Sequence, residues 1–174
     1  DEASAGIIPR TVSDLFSEMA RRREGEESNQ LQHVVEACYL EIYRDRIINL
    51  SGTKKSNVDI LFDGDGGAHM RCEHEPIWMS CVTVEDVMSV HRHGCKMRAT
   101  GRTNLNLHSS RSHSILMVRV DTQGRMGKWK GTLSIVDLAG SENVKQSGVA
   151  NAGLSEAKSN NRSLAALGNV LSVL

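Results

Sequence analysis

The stretch Val136 to Glu142, VDLAGSE, poses the problem of this sequence. It reads as the end of a buried apolar strand, Ser134-Ile135-Val136, running straight into an acid, Asp137. Gly140 follows three residues later, and a second acid, Glu142, two after that. A carboxylate at a strand end offers oxygen to a hard cation such as magnesium, often through water. A bare glycine just beyond it lets a backbone N–H approach a phosphate with no side chain in the way. Taken alone, the stretch is also an ordinary strand followed by a polar turn.

The chain around it has 174 residues, the size of one domain or a large piece of one. Lysine plus arginine and aspartate plus glutamate both number 21, so no global charge points to nucleic acid or a membrane surface. Aromatic residues are 3% of the chain, too few for a base-stacking platform. No apolar run reaches the length of a membrane span, and Asp1-Glu2 opens no signal peptide. Cys38, Cys72, Cys81 and Cys95 form no C-x-x-C pair, which argues against zinc, and the lack of a secretory signal favours reduced thiols and an intracellular protein.

Periodicity places the elements. Val12, Leu15, Phe16 and Met19 in GIIPRTVSDLFSEMARRR fall on one helical face, with Pro9 near the helix start. HVVEACYLEIY predicts a strand from about Val34 to Tyr43, and VDILF a shorter one, followed by a glycine-rich turn at DGDGG. TVEDVMSVHRHG predicts a helix capped by Thr83, with Asp86 in its first turn and Gly94 after its end. HSILMVRVDTQG and KWKGTLSIVDL pair as antiparallel strands around TQGRMG. In the tail, Leu164, Leu167, Leu171 and Leu174 share a helix face. The pattern is that of an α/β sheet with helices on its faces.

Two further stretches carry candidate chemistry. NLNLHSSRSHS, Asn104 to Ser114, is built mostly of Ser, Asn, Arg and His, which compete for backbone hydrogen bonds and disfavour regular structure. It reads as a polar surface loop, or as a loop whose hydroxyls reach a metal and whose arginine answers a carboxylate. The tail helix has a second face bearing Lys158, Asn160, Asn161 and Arg162, either solvated surface or a binding surface.

In this order and spacing, NLNLHSSRSHS, VDLAGSE and EAKSNNRSLAALGNVLSVL closely resemble the kinesin motor domain, as do GIIPR, CYLEIYRDRIINL and GCKMRATGRTN upstream. The resemblance implies a P-loop NTPase motor fold, a central, mostly β sheet flanked by helices. It implies a microtubule-based motor ATPase using ATP and Mg2+, placed in the cytoplasm on the cytoskeleton. The serine-rich loop is then switch I. Ser110 joins the magnesium shell there, and Ser109 and Asn106 lie near the γ-phosphate and the attacking water. DLAGSE is switch II, where Asp137 holds magnesium through water, the Gly140 N–H senses the γ-phosphate, and Glu142 pairs with Arg111. Lys145, Lys158 and Arg162 face the microtubule.

The phosphate cradle G-x-x-x-x-G-K-[ST] is absent, and GRMGKWKGT, its nearest imitation, reads as a hairpin connection. The expectation is therefore a partial motor domain over residues 1–174. The cradle would lie upstream, and the closing strand, the closing helices and any coiled-coil oligomerisation segment elsewhere. Such a piece would be inactive alone. The alternative is a nucleotide-independent microtubule-binding relative that lacks the cradle. Arg102, Ala150, Asn151 and Asn160 depart from the family pattern, as does the Lys145-Gln146 order, none of them at a magnesium or switch-pair position.

Overall fold

The computed structural model describes residues 6–23, 31–65, 67–100, 112–125, 127–140, 161–162, 164–166 and 169. Helix α1 spans Ile7–Arg23 and α2 Val84–Ala99. The strands are β1 Gln32–Tyr43, β2 Arg46–Asn49, β3 Ser56–Phe62, β4 Ala68–Arg71, β5 Met79–Cys81, β6 His113–Gly124 and β7 Gly127–Asp137. They form one sheet in the order β4-β3-β2-β1-β6-β7, with β5 also on β1. Every described pairing is antiparallel.

Alternation along β1 and β6 divides the sheet into two faces. Val35, Ala37 and Tyr39 of β1 and Leu116 and Val118 of β6 point to the face that carries both helices. Val12 and Val87 pack there, joined by Ile8, Leu15, Phe16 and Met19 along one stripe of α1. Cys38 and Leu40 point the other way and meet Val58 and Ile77 under Met70, Cys72 and Trp78. On that second face Arg119 sits 4.2 Å over the Trp78 ring and bonds the Glu36 carboxylate at 2.6 Å.

Local chemistry explains the ends. Thr83 caps the start of α2, as the sequence predicts, and Asp86 answers it to complete a reciprocal capping box. DGDGG closes the β3–β4 hairpin, with the Asp63 N–H donating to the Gly67 carbonyl. The long β6–β7 pair closes between Gly124 and Gly127, so GRMGKWKGT is indeed a hairpin connection.

Three features differ from the sequence expectation. The short strands β2, β4 and β5 are not in the sequence reading. The hairpin of β2 with β1 turns on Arg44 and Asp45, both at positive φ (51° and 59°), the two-residue geometry usually marked by Asn-Gly. Helix α2 does not end at Gly94 but runs to Ala99. Gly94 is instead the point of closest approach to the sheet, where a Cβ would lie 2.4 Å from the Tyr39 ring. Finally, β7 has a strand neighbour on one side only among the described residues. It is the outermost strand of the described sheet, with Val136 46% exposed and only Leu133 and Ile135 packed on the helix-side core.

Gly94→Ala sets two effects against each other. Helix propensity favours alanine by about 1 kcal/mol. Overpacking against a ring held by β1 costs about 1–3 kcal/mol or more. With an approach of 2.4 Å the steric cost wins. Thermal melting should show Gly94→Ala lower than the parent by a few degrees, at about 2–4 °C per kcal/mol. A raised melting temperature would contradict the close packing of α2 on Tyr39.

Candidate functional site

The site lies where three elements end together on the helix-bearing side of the sheet. The β6–β7 register sets Ser114 opposite Asp137, the last residue of β7. Helix α2 brings Arg98 in its last turn, a favoured place for a cation against the helix dipole. The Arg98 side chain is 12% exposed and its guanidinium fans out across the strand ends. Nη1 donates to Ser114 Oγ at 2.9 Å and to Asp137 Oδ2 at 3.0 Å. Nη2 donates to the Ser112 carbonyl at 2.8 Å and to Ser112 Oγ at 3.3 Å. Nε lies 3.5 Å from Glu41 Oε1, a carboxylate on β1 that is fully buried. Ser112 Oγ also donates to that oxygen, at 2.7 Å.

The segment after β7 is tied down by a different contact. The buried Ala139 N–H donates to His113 Nδ1 at 2.9 Å. Burial, and then the positive charge of Arg98, hold His113 below the usual histidine range, against the opposing pull of Asp137. The neutral ring is thus the form that accepts the Ala139 N–H. This bond joins the end of the serine-rich segment to the VDLAG segment one residue before Gly140.

Of the residues expected from sequence, Asp137, Gly140 and Arg162 are described. Asn106, Ser109, Ser110, Arg111, Glu142, Lys145 and Lys158 lie outside the described residues. Asp137 stands at the strand end as expected, its side chain 70% exposed. Arg162 is helical and reaches Asp45 in the β1–β2 turn at 3.4 Å, far along the chain from the strand-end acid. Sequence reasoning missed Arg98, Glu41 and Tyr39. Arg98 carries the ordinary signature of a helix C-terminal cation, and Glu41 and Tyr39 sit inside an apolar strand pattern. Only the pairing of β1 with β6 brings them beside Ser112 and Ser114.

The donor chemistry suits a hard cation. Asp137 supplies an exposed carboxylate, and no cluster of three His, Cys, Asp or Glu occurs among the described residues. Asp137 would thus be one member of an oxygen set completed by groups outside them.

The kinesin motor domain family model matches residues 1–174. The chain belongs to the kinesin motor-domain family. It is 40% identical over 176 residues to the kinesin heavy chain of Strongylocentrotus purpuratus, covering 97% of this chain and 16% of that protein. Against the kinesin-1 heavy chain of Homo sapiens it is 38% identical over 176 residues, covering 100% and 17%. A solved fast kinesin superposes with a TM-score of 0.79 at 33% identity, over 100% of this chain and 48% of that one. A dimeric kinesin solved with AMP-PNP in complex with a microtubule gives a TM-score of 0.77 at 27% identity, over 99% and 49%. The chain therefore spans about a sixth of the curated relatives and about half of the solved kinesin chains. Among kinesin features foreseen from sequence, the P-loop NTPase motor fold stands.

The lowered His113 pKa fixes the sign of a pH effect. The unfolded chain takes up a proton near the ordinary value of about 6.5, and the folded chain only at lower pH. Between the two, the unfolded state binds more protons, so stability rises with pH. His113 thus costs no stability above about pH 6.5 and progressively more below it. Denaturant unfolding at several pH values should show that acid-side loss. His113→Gln, which keeps an acceptor but does not titrate, should shrink the slope without removing it, because burial also lowers His33 and His91. An unchanged slope would contradict the His113–Ala139 contact as drawn.

Proposed function

We propose that this chain is the switch-bearing part of a motor domain that binds ATP with Mg2+, hydrolyses it and moves along microtubules. One observation carries the reading. The strand-end acid Asp137 is gripped by Arg98 and Ser114 immediately before a loop segment that is tied to His113. Magnesium, when bound, would neutralise phosphate charge. The chain's own contribution is positioning. In this reading Asp137 holds a magnesium-bound water, Ser110 supplies a hydroxyl ligand, and Asn106 and Ser109 orient the γ-phosphate and the attacking water. The Gly140 N–H reads the γ-phosphate, and Arg111 and Glu142 pair when the two segments close. Closure of two phosphate-sensing loops is an established way to turn hydrolysis into movement.

The phosphate cradle belongs, in this proposal, to a segment outside residues 1–174. Oligomerisation and cargo attachment do as well. In this proposal Lys145, Lys158 and Arg162 meet the acidic tubulin surface, and the protein works in the cytoplasm on the microtubule cytoskeleton. The relatives named kinesin heavy chain and the solved complex with a microtubule support this over a nucleotide-independent binding module.

Two measurements test it in the full motor domain containing this sequence. Arg111→Ala and Glu142→Ala should each cut microtubule-stimulated hydrolysis by about a hundredfold while ATP still binds. The double variant should be no worse than either single one, because one change already prevents closure. Normal hydrolysis in the single variants would remove the pair from the mechanism. Separately, Arg162→Ala should weaken co-sedimentation with microtubules by about two- to fivefold at low salt, and by less at high salt. An equal fall in basal ATPase would make Arg162 structural instead.

A further inference from the structure

We infer that Tyr39 is a positioning residue for the strand-end acid, acting through Ser114; the inference rests on the proposed role of Asp137. Tyr39 lies in the middle of β1, 5% exposed, with its ring edge-on to His91 and against Gly94. Those apolar contacts would serve a phenylalanine equally well. A buried hydroxyl is costly unless it is bonded, so its presence needs a partner. The Tyr39 hydroxyl donates to Ser114 Oγ at 3.1 Å and receives the Cys95 thiol at 3.7 Å.

A count of protons fixes the direction of this chain of bonds. A serine hydroxyl has one proton and two acceptor lone pairs. Arg98 can only donate, and its Nη1 takes one lone pair of Ser114 at 2.9 Å. The Tyr39 hydroxyl takes the other. Burial raises the Tyr39 phenol above its ordinary value, so it remains protonated and remains a donor at neutral pH. Ser114 is left with its single proton to give, and Asp137 Oδ2 lies 3.5 Å away, beyond the ordinary O–H···O range, so that contact is weak. The same oxygen takes the Arg98 Nη1 bond at 3.0 Å. Ser114 therefore acts on Asp137 chiefly by seating the Nη1 group that bonds it, and adds a weak contact of its own. Without the Tyr39 hydroxyl, Ser114 regains a lone pair and freedom to turn, and the seat of that Nη1 group loosens.

A positioning role affects only binding that depends on magnesium, whereas a merely structural role weakens nucleotide binding with or without the ion. In the full motor domain, ADP affinity would be measured by fluorescence in excess Mg2+ and again in EDTA. Tyr39→Phe should lose about fivefold in Mg2+, the weight of one buried hydrogen bond, and nothing in EDTA. Ser114→Ala should lose as much or more in Mg2+, and the double variant should match Ser114→Ala, since both changes act on one chain of bonds. If Tyr39→Phe fails to fold, Ser114→Ala alone carries the comparison. Equal losses in Mg2+ and EDTA would reduce Tyr39 to a packing residue and overturn the inference. So would a Tyr39→Phe variant with unchanged affinity while Asp137→Asn weakens binding in Mg2+ only; that result leaves the proposed role of Asp137 standing. An Asp137→Asn variant with unchanged magnesium dependence would overturn that role, and the inference with it.

Discussion

The buried guanidinium of Arg98 joins three segments that are separate in sequence: β1 through Glu41, the start of β6 through Ser112 and Ser114, and the end of β7 through Asp137. Taking such a group out of water costs several kcal/mol, and only multiple well-placed partners offset it. The planar fork of five donors can meet that demand where a lysine would not. Its requirements propagate outward. Helix α2 must continue past Gly94 to deliver Arg98, and it must lie close enough to the sheet for the side chain to reach the strand ends. Gly94 permits that approach by offering no Cβ to Tyr39. Removing Arg98 would leave the buried Glu41 carboxylate without its cation, the costlier way to break the pair, since Arg98 without Glu41 keeps Asp137.

The same two-residue period that lays down the apolar core also lays down the polar network. Val35, Ala37, Tyr39 and Glu41 alternate along β1 toward the helices, and the series turns polar only at its end. On β6 the sequence runs the opposite way, from Ser112 and Ser114 into Leu116 and Val118. On β7, Leu133 and Ile135 lead to Asp137 on the same face. Antiparallel register brings the three polar ends together, because β6 starts where β1 and β7 finish. A one-residue slip of any of these strands would turn its polar end to the opposite face and bury nothing useful in its place.

Much of this was readable in the sequence, for reasons that are local. The α1 stripe from Val12 to Met19, the capping box at Thr83 and Asp86, and the β6–β7 hairpin are each set by residues close together in the chain. What escaped is long-range or disguised. The β1–β2 hairpin turns on Arg44-Asp45, residues that adopt positive φ at a cost and so carry no turn signature. Gly94 looks like a helix terminator because its real constraint, the ring of Tyr39, lies 55 residues away, by the difference of the two positions. Ser134 to Val136 looked buried because apolar content does not say whether a strand has neighbours on both sides. Arg98 carries only the ordinary signature of a helix C-terminal cation, and Glu41 sits inside an apolar strand pattern, so neither marks a site locally. Asp137 does, since an acid closing an apolar strand and followed by glycine is a short-range signal.

The network also has a built-in asymmetry that bears on its use. Glu41 is fully buried while the Asp137 side chain is 70% exposed, yet both answer the same guanidinium. Water cannot replace Arg98 at Glu41 without refilling the interior, so that half of the network is fixed. At Asp137 the carboxylate is open to solvent, so the pair is half-buried and screened more than the Glu41 side. Exchange of partners at Asp137 is therefore cheap, whereas exchange at Glu41 is expensive. An acid that must respond to the arrival of another ligand needs that combination: a mount that does not move and a last contact that releases readily. The Ala139–His113 bond extends the same logic one step along the chain, since it fixes the start of the loop after β7 to the start of β6.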